Sequence, residues 1–193
     1  MTVQEEKKSI VMEKPVPPSA KFVGFEIEKE DWDKYKLLDG SLLKARFILT
    51  GILMDKTIDE IRGMLRKLPP DQVPKIGFGF RSQYVFTTEP PQNLRGTPDG
   101  RRYSVEELRN SIVKEDIDFE TLKSTWNSYR LENGITVKCR LSPTVVSRTN
   151  KFDEGGMPIY VIDSTIDVKV TMPEDIEKIL QQRKKSIDKK SVK

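Results

Sequence analysis

The sequence predicts a mainly β (α+β) protein made of internally duplicated antiparallel β-meanders, barrel-like units carrying three peripheral helices. The first observation behind this is an internal repeat. Phe25–Thr50 and Phe119–Thr144 align without gaps at an offset of 94 positions, with 10 identities in 26. Phe25/Phe119, Glu26/Glu120, Lys29/Lys123, Trp32/Trp126, Tyr35/Tyr129 and Gly40/Gly134 are among the matched pairs. The second is a set of β-branched and aromatic stretches bounded by turn residues: Ile48–Leu53, Ile76–Phe86, Leu141–Arg148 and Ile159–Val170. The third is three capping boxes (Thr57 with Glu60, Ser104 with Glu107, Thr171 with Glu174), each ahead of apolar residues at helical spacing.

In chain order, residues 1–21 mix Glu, Lys and Pro without periodicity and read as a disordered arm. Residues 22–89 form the first β repeat, with a helical insertion at about 57–67 where Ile58, Ile61, Met64 and Leu65 make one stripe. Residues 90–114 are a turn-rich linker followed by a helix whose stripe is Val105, Leu108 and Ile112. Residues 115–170 form the second repeat, where a Gly155-Gly156 loop stands in place of the insertion. Residues 171–193 are a helix through Ile176, Ile179 and Leu180, then a basic tail.

The repeated hairpin specifies its own register. Asp39-Gly40 and Asn133-Gly134 are hairpin turn signals. A two-residue loop mixes charge and apolar groups on both faces. A three-residue bulged loop sets Tyr35 opposite Leu43 and Asp33 opposite Ala45, and it gives one apolar face of Tyr35, Leu37, Leu43, Ala45 and Phe47. The second copy then buries Tyr129, Leu131, Ile135, Val137, Cys139 and Leu141. A one-residue slip would destroy both faces, so the bulged turn is expected. On the opposite face Trp32 comes opposite Arg46 and Trp126 opposite Arg140, with Lys44 and Lys138 alongside: each tryptophan either packs under a helix or against the other repeat with its arginine passing by, or forms a cation–π patch, one per copy. Lys34 faces Lys44 in this register.

Composition narrows the chemistry. The chain of 193 residues contains no histidine, which removes the commonest general base and zinc ligand. Its single cysteine, Cys139, excludes an internal disulfide, aligns with Ala45 on the buried face and fits a reducing compartment. No catalytic, cofactor-binding or metal residue is assigned. The acid cluster Glu115, Asp116 and Asp118 reads as a solvated junction. No apolar run is long enough to span a bilayer, so no membrane partner is expected, and cytoplasm is the expected location. The net charge is +4, but Arg183–Lys193 alone carries six basic groups and one acid. That is +5, leaving −1 for everything before it, so the basicity belongs to the tail.

Ile76-Gly77-Phe78-Gly79-Phe80-Arg81-Ser82-Gln83-Tyr84 resembles the Lys/Arg-Gly-Phe-Gly-Phe-Val-x-Phe signature of RNA recognition motifs, whose strand aromatics stack bases. Phe47–Leu53 with Thr57–Arg62 resembles that family's first strand and helix. Ile76, Arg81 and Gln83 depart from the signature, and the stretch 67–76, which holds Pro69 and Pro70, is too short for that fold's second strand. The resemblance implies stacking by the strand aromatics Phe78, Phe80 and Tyr84; independently of it, an open strand face would let Arg81 and the linker's Arg95, Arg101, Arg102 and Tyr103 supply a stacking-plus-phosphate groove. Without it, the shared parity of Phe78, Phe80, Tyr84 and Phe86 makes them core. The expected function is a non-catalytic tandem β-domain module for binding or assembly with a protein partner or larger complex. The alternatives are single-stranded RNA or DNA binding through the aromatic-basic strand faces, and an enzyme using lysine and carboxylate chemistry.

Overall fold

A computed structural model describes residues 17–191, with side chains described through Arg183. The arm expected over 1–21 lies outside the described residues as far as position 16. Pro17 to Ala20 form a turn, and Lys21 already begins β1 (Lys21–Val23). Then follow β2 (Phe25–Lys29), β3 (Asp33–Leu37), β4 (Leu42–Met54), α1 (Ile58–Lys67) and β5 (Phe78–Glu89). The linker contributes α2 (Val105–Asn110), and the second half supplies β6 (Ile112–Lys114), β7 (Phe119–Lys123), β8 (Asn127–Leu131), β9 (Thr136–Phe152) and β10 (Pro158–Thr171). The last element is α3 (Glu174–Ser191).

The strands form two five-stranded antiparallel sheets. In the first, β5 runs along one edge of β4, β3 and β1 share the other, and β7 lies outside β3. In the second, β10 and β9 pair along their length, β8 and β6 share the other edge of β9, and β2 lies outside β8. The strands at 25–29 and 119–123 thus cross over, each completing the other half's sheet. Neither sheet closes, which corrects the barrel-like expectation.

Both hairpins adopt the bulged turn. Leu37 N donates to Ser41 O at 2.9 Å and Gly40 N to Leu37 O at 3.0 Å, and Leu131 N to Ile135 O and Gly134 N to Leu131 O repeat the pattern at 2.8 and 2.9 Å. Gly40 and Gly134 sit at φ +94° and +83°, conformations that a Cβ would strain. The register follows: Tyr35 faces Leu43 and Asp33 faces Ala45, while Tyr129 faces Val137 and Asn127 faces Cys139.

The two apolar faces merge into one core. Tyr35 OH donates to Leu141 O at 3.3 Å, and Asn127 Nδ2 donates to Phe47 O at 3.1 Å, so β3 reaches β9 and β8 reaches β4 across the core, at the corresponding residues Leu141 and Phe47. Burial pushes the Cys139 thiol and the Tyr35 phenol each up to about 12. Cys139 is a packing residue.

The helices depart from expectation in three places. Thr57 and Glu60 cap α1 reciprocally, and Ile58, Ile61 and Leu65 are buried. Ser104 and Glu107 do the same for α2, but that helix ends at Ser111 and buries nothing. Ile112, expected on its stripe, pairs with Thr149 in β6. Thr171 caps no helix, because it closes β10 opposite Thr136; the first bond of α3 runs from Glu177 N to Pro173 O at 2.9 Å. Ile176 and Leu180 are buried, while Ile179 stays exposed.

The basic tail is corrected most sharply. The helix continues to Ser191, and Arg183 belongs to the folded body. Its guanidinium donates to the carbonyls of Leu65, Leu68, Pro69 and Gln72, which lie in the last turn of α1 and just beyond it. Helix C-termini leave such acceptors unsatisfied, and a cation there also complements the helix dipole. Arg183→Ala is expected to lower stability by about 2 kcal/mol, read from the urea midpoint. Arg183→Lys should recover only part, because an ammonium lacks the fork that spans several carbonyls.

Candidate functional site

The alternation that buries Tyr35 and Leu43 sends Lys34, Lys44 and Arg46 to the outer face of the first sheet. Strand exchange then sets Lys123 of β7 beside Lys34, and Lys34 beside Lys44. Thr87 of β5 flanks Lys44 on its other side. Three lysines therefore stand in a row across adjacent strands, at a strand spacing of about 4.8 Å. The second sheet repeats the row as Lys29, Ser128, Lys138 and Lys169.

Each row lies beside a tryptophan. The Arg46 guanidinium is 5.8 Å from the Trp32 ring centre. Trp126 carries two cations, Arg140 at 4.8 Å and Lys169 at 4.2 Å. Both arginines are held from behind: Arg46 donates to Glu30 at 3.2 and 2.8 Å, and Arg140 to Asp167 at 3.2 and 2.7 Å. Trp32, Asp31, Lys34, Lys44, Thr87 and Lys123 enclose an open cavity of about 450 Å³. Lys44 pairs with Glu89 and Lys123 with Asp31. The hydrogen bond from Lys123, with help from Trp32 N, holds the Asp31 carboxyl below the usual carboxylate range. Among the described residues Lys34 makes no ion pair.

A buried polar pair anchors the segments that carry both tryptophans. Thr125 N and Oγ1 donate to Asp33 Oδ1 at 2.7 and 3.0 Å. Asp31 N donates to Asn127 Oδ1 at 3.2 Å. Burial raises the Asp33 carboxyl, only partly offset by its two bonds from Thr125.

The remaining candidates separate. Phe78 is 2% exposed beside Met54 in the core, so it leaves the contact surface. Phe80 is half-buried and stacked on Phe78 with centroids 6.2 Å apart. Tyr84, expected in the core by parity, is 54% exposed on the open edge strand β5. Arg81 lies over Phe22, 4.9 Å from its ring centre. Arg101, Arg102 and Tyr103 do not join β5 in a groove. They line a separate cavity of about 530 Å³ with Phe152 at the end of β9 and Asp153 of the β9–β10 connection. There Arg101 is already engaged by Asp99 and Glu107, and Tyr103 OH donates to Asp99 at 2.6 Å.

Sequence reasoning missed Lys29, Lys123, Lys169 and Thr87 as members of these faces. The identity of Lys29 with Lys123 in the repeat was the available signal. Glu115, Asp116 and Asp118 are exposed at the β6–β7 junction. Among the described residues no helix is long and apolar enough to cross a membrane. Compared with known proteins, the chain matches no family model, no curated protein and no solved structure.

Proposed function

We propose that this chain is a non-catalytic binding or assembly module, a fusion of two equivalent β units that presents one tryptophan–arginine–lysine face per sheet to macromolecular partners. The observation that carries this is the residue-for-residue match of the two outer faces: Trp32 with Trp126, Arg46 with Arg140 and Lys44 with Lys138. Two equivalent sites joined in one chain raise the effective concentration of the second contact, which multiplies affinity without new interactions. The lone buried thiol of Cys139 supports a reducing compartment, and cytoplasm is the location we propose.

The test is a quantitative pull-down from the native source with the wild-type chain and a Trp32→Ala/Trp126→Ala variant. Retention of the enriched partner should fall by at least about tenfold in the double variant and by less in either single one. Equal retention by all four chains would remove these faces from the binding surface. A second reading, single-stranded nucleic acid as the partner, is favoured by the lysine rows.

A further inference from the structure

We propose that the Trp32 face binds single-stranded nucleic acid, with Lys123, Lys34 and Lys44 taking backbone phosphates while a base stacks beside Trp32. This rests on the binding-module reading and names its partner class.

The first support is electrostatic. Like charges directly opposite on neighbouring strands disfavour the sheet, yet Lys34 faces a lysine on both sides. The second sheet carries its own three lysines, Lys29, Lys138 and Lys169, in the corresponding row. A row that works against folding, complete at Lys123, Lys34 and Lys44 and echoed in the second sheet by the opposed pair Lys138 and Lys169 with Ser128 beside them, is accounted for by an anion that lies along it. The carboxylates present do not remove the need. Glu89, which pairs with Lys44, and Asp31, which pairs with Lys123 and borders the cavity, are 58% and 39% exposed on their side chains, and exposed pairs of this kind are weak and readily exchanged.

The shape of the ligand follows from the row. Three lysines over two strand spacings span about 10 Å, which suits a linear polyanion better than a lone anion. The ring of Trp32 borders the same cavity, and aromatic side chains beside a basic track are the means by which unpaired bases are held without sequence preference. An acidic protein segment would use the lysines and leave the ring idle. The Trp126 face is the weaker of the two, because Arg140 and Lys169 already lie against its ring.

The experiment is fluorescence anisotropy of labelled oligothymidylate and oligouridylate with the full chain across a potassium chloride series. Each phosphate neutralised on a single strand contributes about 0.7 to the slope of log affinity against log salt. Lys34→Gln/Lys44→Gln/Lys123→Gln should therefore flatten the slope by about 2, and Lys34→Gln alone by about 0.7. Trp32→Leu should weaken binding about tenfold. A chain ending at Arg183 keeps the clamp on α1 and should bind as the full chain does.

Four results would overturn the proposal: no binding at low salt, an unchanged slope in both lysine variants, binding lost with the residues after Arg183, or poly-glutamate held as tightly with no effect of Trp32→Leu. A chain that ignores both oligonucleotides yet retains a partner dependent on Trp32 and Trp126 would sink the nucleic-acid assignment and leave the binding module standing.

Discussion

A chain nicked between Thr97 and Arg101 is expected to remain one cooperative body, while residues 1–96 expressed alone should show no cooperative thermal transition. The linker residues at the nick are exposed, whereas the two halves share their sheets. β2 pairs with β8, and the Phe25 ring meets Tyr129 edge-on at 5.7 Å. β7 pairs with β3, and Phe119 meets Tyr35 in the same way at 5.5 Å. Taking away the second half strips β3 of its outer neighbour and uncovers Leu43, Ala45 and Phe47, which are at most 2% exposed. A loss on that scale is comparable with the net stability of about 5–15 kcal/mol that a domain has. Mixing the fragment with residues 101–193 should restore the transition. A monomeric first half that melts cooperatively would show that the exchange is dispensable.

Asn127→Asp is expected to cost about 2–4 kcal/mol at neutral pH, measured by urea unfolding. Asn127 is 4% exposed, and its amide nitrogen donates to Phe47 O. A carboxylate there would lose that bond and set a charge beside a carbonyl oxygen. The reciprocal change, Asp33→Asn, carries a pH signature. Burial raises the Asp33 carboxyl, so the folded chain holds this proton to higher pH than the unfolded one. Its contribution to stability is full below the unfolded value of about 3.9 and is lost as pH rises through the folded value. Asp33→Asn lacks this decline, so the variant should gain on the wild type as pH rises above about 4. Parallel stability curves would contradict that sign.

The local geometry was legible in the sequence because it is governed by short-range rules. A period-two pattern around Asp39-Gly40 and Asn133-Gly134 admits one register, and that register places Cys139 in the core and Trp32 near Arg46. Strand partnership obeys no such rule. Phe25 and Phe119 alternate in the same way whichever sheet receives them, so the crossing of β2 and β7 left no local trace. Everything that depends on the crossing was hidden with it: the open sheets, and the places of Lys29 and Lys123 in the rows. Ile112 fitted a helical stripe by spacing, yet Ser111 ends α2 and the next residues join β9. Tyr84 shares the parity of Phe78, but parity cannot tell an edge strand's bare end from its covered one. Arg183 looked like tail because its neighbours are lysines, and its partners are more than 110 positions away.

That arginine grips main chain alone. Its four acceptors are carbonyl oxygens, which every amino acid possesses, so the clamp places no demand on the side chains of Leu68, Pro69 or Gln72. Substitutions at those three positions can accumulate without the helices coming apart, provided the backbone keeps its path. The sequence requirement of the clamp is concentrated in one residue of α3, and the rest of the junction rests on the Arg62–Asp175 ion pair and the buried Ile61, Leu65, Ile176 and Leu180.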